Sequence, residues 1–194
     1  MVGRARAVRE ARGVTDAGPA MPSGRAAIVL NIALFQLGWW CAVLGAARHQ
    51  VLLGPCVIAL VLLIYIVPNR RRMRALALVL VALALGALCE VGLRALGMTA
   101  FSTGPWSIAG VPVWMIALWG LFATTLTSSL RWLQGRWLLG SLFGGIGGSL
   151  SYVAGAKLGA LDLPASASLW VIALLWALAL PLLSGLARHW EMPT

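Results

Sequence analysis

The chain has 194 residues, a formal net charge of +10 and a mean hydropathy of +0.91; it is 61% hydrophobic and only 10% charged. Soluble domains carry roughly 25% charged residues, so this composition leaves too little polar surface to cover a globule. It points to an all-α, polytopic membrane helical bundle of about six transmembrane helices, since a hydrocarbon core of roughly 30 Å needs about 20 apolar residues per span. The arginines lie in short runs between apolar stretches. There they set topology and touch anionic headgroups, which argues against a nucleic-acid partner.

Residues 1–25 form a basic arm with Arg4, Arg6, Arg9, Arg12 and Arg25 against Glu10 and Asp16, and it is expected to be disordered. Met21 stands as an alternative start just before the first span. Gly45 and Ala47 would suit a signal cleavage site. The apolar run before them is longer than the usual h-region of about 7–15 residues, however, so an uncleaved first span is favoured. A single integral membrane domain is expected over 26–190.

Span one, about 26–47, carries Asn31 and Gln36, then Gly38, Trp39 and Trp40. Amides in lipid usually bond to another helix, and Trp39 and Trp40 read as interfacial anchors. Arg48, His49 and Gln50 turn the chain into span two, about 51–67, which Pro68-Asn69 ends. Arg70, Arg71, Arg72 and Arg74 follow and are the strongest topological mark in the chain.

Span three, about 75–96, holds Glu90 and Arg94 at i,i+4, with Gly86 one turn earlier in the same row. An intramembrane carboxylate needs a partner, and Arg94 is the first candidate. The connection 97–111 is uncharged; a plain external loop is expected, with a shallow re-entrant segment as the alternative.

Span four, about 112–133, brings Thr124/Ser128 and Thr125/Ser129 together as stacked hydroxyl pairs able to bond back to i−4 carbonyls. Arg131, Trp132, Arg136 and Trp137 form a basic-aromatic belt at the following turn. Span five, about 138–160, has Gly140, Gly144 and Gly148 at four-residue spacing, with Gly155 and Gly159 further on. Such small rows let two backbones approach, most simply against span four, and the five glycines are assigned to helix packing. Lys157 is placed to snorkel or to pair with Asp162 or Glu90. Span six, about 168–187, is apolar all round and is expected to face lipid.

Six spans put the arm, the Arg70 run, the Arg131/Arg136 turn and Arg188 on one side, leaving Arg48, Arg94 and Lys157 on the other. The positive-rich side, with both termini, is expected to be cytoplasmic in a bacterial inner membrane. The core is expected to comprise spans one, four and five.

Cys41, Cys56 and Cys89 show no paired spacing and read as buried free thiols. With only His49 and His189, one near each end of the chain, metal or haem ligation has poor support, and no cofactor is expected. Gly147-Gly148-Ser149-Leu150-Ser151 is the nearest approach to a nucleophile motif, but no base accompanies it, so no catalytic residue is assigned. The candidate polar intramembrane site consists of Asn31, Gln36, Glu90, Arg94, Thr124, Ser128, Tyr152 and Lys157. Arg70, Arg71, Arg72, Arg74, Arg131 and Arg136 are the candidate contacts to lipid headgroups.

Three blocks resemble a family of bacterial inner-membrane proteins catalogued as domain of unknown function 2878. They are Asn31-xxx-Phe35-Gln36-x-Gly38-Trp39-Trp40 with Val43-Leu44-Gly45-Ala46, the segment from Trp114 to Leu133, and Leu150-Ser151-Tyr152-x-Ala154-Gly155-x-Lys157-Leu158-Gly159-Ala160. The resemblance would run from Ala26 to the C-terminus. The family pattern has an Asn-His pair where this chain has Thr127-Ser128, so no proton-transfer role carries over to those positions. The resemblance implies an association with membrane-lipid modification and no established activity.

Two functions are therefore expected for comparison. One is a non-enzymatic accessory to membrane-lipid metabolism or modification, which meets the bilayer, anionic lipids and a membrane-enzyme partner or a second copy. The other is a small-molecule or lipid transporter with a polar pathway between spans one, three, four and five. An intramembrane enzyme using Glu90 ranks third.

Overall fold

The computed structural model describes residues 24–102 and 105–191, so nearly all of the expected N-terminal arm lies outside the described residues. In a bilayer every backbone polar group must be satisfied within the protein, and long apolar runs meet that demand as helices. Among the described residues six form: α1 (Arg25–Ala47), α2 (Leu53–Ile66), α3 (Arg72–Ala95), α4 (Val113–Leu126), α5 (Trp137–Lys157) and α6 (Ser168–Glu191). Four of them, α1, α3, α5 and α6, are long and apolar enough to cross a membrane. Helices α2 and α4 have 14 residues each, about 21 Å at 1.5 Å per residue, and reach further only through their flanking turns.

Helix α4 is the centre of the bundle. Its Trp114, Trp119, Leu121, Thr124 and Leu126 are among its many buried residues, and it packs against α1, α2 and α3. The expected core of spans one, four and five is corrected accordingly: α1 buries only Gly38, Ala42, Val43 and Gly45, all in its second half. The glycine row of α5 meets α6, not α4. A Cβ on Gly144 would fall on the Trp176 carbonyl oxygen and 2.9 Å from Leu180 Cβ, and one on Gly148 would come 2.6 Å from Trp176 Cδ1. That close approach needs glycine, and it makes α5–α6 the most extensive helix pairing in the fold. Helix α6 is correspondingly two-faced. Ile172, Ala179, Leu180 and Leu183 are buried, while Trp170, Leu174, Leu178 and Leu182 form its outward stripe. Composition alone hid that division, because both faces are apolar.

The bundle has two distinct ends. At one, Arg71 and Arg74 donate to the carbonyls of Glu191 and Trp190, and Arg131 Nε lies 3.1 Å from Glu191 Oε2. Arg188 packs beside Gly135 at the same end, so the Arg70 run, the Arg131/Arg136 turn and Arg188 gather there, while Arg4, Arg6, Arg9 and Arg12 of the arm lie outside the described residues. At the other end, residues 97–111 are not a plain loop. Ser107–Ile108 (β1) and Val111–Pro112 (β2) pair as a hairpin, turning at Ala109 and Gly110, both at positive φ. Ala100 and Asp162 exchange backbone hydrogen bonds of 3.0 and 2.8 Å, which tie this segment to the α5–α6 link. The three cysteines are free, but none is buried as expected: Cys56 is exposed, and Cys41 and Cys89 are half-buried.

A cleft between two helices

Asn31 of α1 and the polar residues at the end of α4 make one cluster. Expected to continue to residue 133, the α4 helix instead ends at Leu126, and a short 3₁₀ turn, Arg131–Leu133, follows. Ser128 and Ser129 therefore do not stack on Thr124 and Thr125. The two threonines bond back within their own helix, Thr124 Oγ1 to the Leu121 carbonyl (2.8 Å) and Thr125 Oγ1 to the Phe122 carbonyl (2.7 Å). The unwound end takes its partners from elsewhere. Asn31 Nδ2 donates to the Thr124 carbonyl and hydroxyl, and Asn31 Oδ1 accepts from Ser129 Oγ at 2.7 Å. Gln134 Nε2 donates to the Leu126 carbonyl, and Tyr65 and Thr127 share a hydroxyl–hydroxyl bond of 2.7 Å. Asn31 is thus a latch holding the first half of α1 to the broken end of α4.

Glu90 makes the second cluster, and Arg94 is not in it. Glu90 is fully buried; its Oε1 accepts from Trp119 Nε1 at 3.0 Å and from the Tyr152 hydroxyl. Gly86, one turn earlier on α3, makes room for the Trp119 ring, whose Cδ1 lies 2.6 Å from where a Gly86 Cβ would be. Arg94 instead turns outward with its guanidinium against Gly110 of the hairpin. Lys157 is also exposed, and among the described residues neither it nor Asp162 forms an ion pair with the other or with Glu90. The i,i+4 spacing made the Glu90–Arg94 pair available, but tertiary donors took the carboxylate.

Between α1 and α5 the bundle stays open. These helices scarcely touch, and a groove of about 630 Å³ separates them. Phe35, Gln36 and Trp39 form one wall, Phe143, Gly147 and Ser151 the other, and Phe122 and Trp176 the floor. Its rim residues Ile32, Phe143 and Leu150 are 48%, 50% and 62% exposed, so it opens sideways where lipid would lie. It begins at Ser129 and Trp132, near the Arg-rich end. Further up, Trp39 Nε1 donates to Ser151 Oγ at 2.9 Å and bridges the groove. Trp39 is thus a strut inside the bundle, while the adjacent Trp40 faces outward as an anchor would.

Beyond the bridge lies a chamber of about 60 Å³ that shares Phe35, Trp39, Phe122, Ser151 and Trp176 with the groove. Trp114, Trp119 and Tyr152 add further aromatic walls, and Val43, Met115, Leu118 and Leu161 also line it. The Trp119 and Trp176 rings stack with centroids 4.5 Å apart, and Phe122 meets Trp176 edge-on at 5.1 Å.

The expected polar residues therefore divide. Asn31 and Thr124 join in the latch, and Glu90 and Tyr152 join in the buried cluster. Gln36 lines the groove, and Ser128 lines a separate crevice of about 290 Å³ beside Asn31. Arg94 and Lys157 stand apart. Gly155 sits beside Leu161 in its own link, and Gly159, at φ +81, terminates α5. Of the expected headgroup arginines, Arg71, Arg74 and Arg131 already bind the end of α6. Sequence reasoning missed Trp119, Trp176 and Ser151 as site residues; the one available signal was Gly86, a small residue beside Glu90 where a large ring fits. Among the described residues no cluster of His, Cys, Asp and Glu suits a metal ion.

The family described as Protein of unknown function (DUF2878) matches residues 28–182, a stretch that contains both clusters and the groove. No curated protein and no solved structure matches the chain.

Proposed function

The chain belongs to the DUF2878 family of proteins of unknown function, and from its groove we propose that it is a membrane protein that binds one lipid-like amphiphile between α1 and α5. The observation that carries this reading is the lateral opening. A groove of about 630 Å³ is within the usual 300–1,000 Å³ of ligand sites, and its aromatic and aliphatic walls face the bilayer, where such ligands are concentrated. The role that follows is non-enzymatic: an accessory that holds or presents a lipid for membrane-lipid metabolism or modification. Its place would be a bacterial inner membrane. The grouping of Arg25, Arg70, Arg71, Arg72, Arg74, Arg131, Arg136 and Arg188 at one end supports a cytoplasmic position for that end and for both termini. The second reading, movement of the amphiphile from one leaflet to the other, is favoured by the groove's continuity with the chamber toward the Arg-poor end.

Gly147 gives a clean test, because it lines the groove and a Cβ on it meets nothing within 4 Å. Gly147→Trp should fill the groove and leave α5–α6 packing intact. Native mass spectrometry of protein extracted from membranes should then show lipid retained by the wild type and lost from the variant at equal thermal stability. Equal retention by both proteins would refute the groove as the binding site.

A further inference from the structure

One polar side chain of the groove wall has no partner. Gln36 is exposed and lines the groove with Phe35 and Trp39, and its amide makes no hydrogen bond among the described residues. The other polar side chains there are engaged: Thr125 with the Phe122 carbonyl, Ser129 with Asn31 and Ser151 with Trp39. Gln36 stands midway along α1 (Arg25–Ala47), about 16 Å from either end at 1.5 Å per residue. That is the middle of a hydrocarbon core of roughly 30 Å, too deep for a glutamine to reach water at either surface. An amide in hydrocarbon is costly without a partner, and the usual partner is another helix. No helix of the bundle supplies one. The groove is also too narrow to admit one from a second copy. Its α5 wall runs from Phe143 to Ser151, about 12 Å. A volume of about 630 Å³ then gives a cross-section of about 50 Å², against roughly 80–110 Å² for a helix 10–12 Å across.

We propose that Gln36 hydrogen-bonds the groove's ligand, and that this ligand is a long-chain amphiphile with a hydroxyl or carbonyl oxygen part-way along its chain. This rests on the groove reading and adds where the ligand is polar. A primary amide offers two N–H donors and a carbonyl acceptor, so it satisfies a hydroxyl in both directions and a carbonyl through its donors. Among the described residues no charged side chain lines the groove, which suits a neutral oxygen function there. Its position along the chain follows from the helix. The Trp39–Ser151 hydrogen bond closes the groove at its inner end, and the groove begins near the Arg-rich end, so the head lies toward the start of α1. Gln36 is about 16 Å from Arg25 along α1. An extended chain advances about 1.2 Å per bond, which puts the oxygen roughly 12–15 bonds from the head. A plain acyl chain in the groove would leave Gln36 unpaired.

The test compares three amphiphiles on the full chain in non-ionic detergent: octadecanoate hydroxylated at its twelfth carbon, octadecanoate hydroxylated beside the carboxyl group, and plain octadecanoate. The wild type should bind the first about three- to thirtyfold more tightly than the other two, the range of one hydrogen bond made in lipid. Gln36→Leu removes an amide that forms no hydrogen bond within the protein, so the variant should fold, keep its binding of plain octadecanoate and lose the preference. Equal binding of all three to the wild type would overturn the assignment of Gln36 while the groove reading stands, and this comparison needs no variant. A preference that survives in Gln36→Leu would also overturn it. A wild-type dimer that Gln36→Leu separates would give the amide to a second copy and overturn it as well. Failure of all three to bind would remove the groove reading and this inference together.

Discussion

Single added methyl groups on two neighbouring glycines of α5 test the bundle's main joint. At Gly147 a Cβ meets nothing within 4 Å. At Gly144 it would fall on the Trp176 carbonyl oxygen, 2.9 Å from Leu180 Cβ and 3.0 Å from the Trp176 carbonyl carbon. Carbon atoms rest at about 3.5–4.0 Å, so Gly144→Ala must push the two helix axes apart by a few tenths of an ångström to about 1 Å. Backbone atoms of α6 give way only by moving the helix. Overpacking of this kind costs typically about 1–3 kcal/mol, whereas replacing an unhindered helical glycine by alanine gains up to about 1 kcal/mol. Equilibrium unfolding in mixed detergent micelles, with increasing dodecyl sulfate as denaturant, should place Gly147→Ala at or slightly above the wild type. Gly144→Ala should fall below it by about 1–3 kcal/mol. Equal stability of the two variants would refute the assignment of the glycine row to α6.

Asn31→Leu keeps the size of the side chain and removes the latch to Thr124 and Ser129; the same unfolding assay should register a loss of about 0.6–2 kcal/mol, and no loss would mean the latch carries nothing. Trp39→Phe and Ser151→Ala each delete one end of the bridge across the groove. A double-mutant cycle on stability should show that the second substitution costs little once the first is made, with a coupling of about 0.5–2 kcal/mol. Strictly additive effects would contradict the bridge.

Much of this architecture is legible in the chain. The apolar runs mark six helices, and the arginines gather at one end because the connections carrying them alternate. The failures are failures of partnership. Small residues at four-residue spacing in α5 say that a backbone must come close, but not whose. The answer, α6, has no polar residue facing the row to announce itself. Thr124 to Ser129 reads as a helix with stacked hydroxyls because spacing is blind to Asn31, which lies nearly a hundred residues earlier and stabilises the unwound form. The Glu90–Arg94 pair was available at i,i+4. The buried alternative was assembled from Trp119 and Tyr152 on two other helices, which no local pattern relates. A groove is a gap between α1 and α5, and a gap has no sequence signature.

The most direct test of the account is to locate a bound amphiphile. A lipid analogue carrying a diazirine along its acyl chain, photolysed in membranes containing the full chain, should label peptides from the facing walls, around Phe35 to Trp39 of α1 and Phe143 to Ser151 of α5. Gly147→Trp should suppress that labelling. Labelling confined to the outward stripe of α6, or labelling of the groove unchanged by Gly147→Trp, would contradict the claim that this protein holds its ligand between α1 and α5.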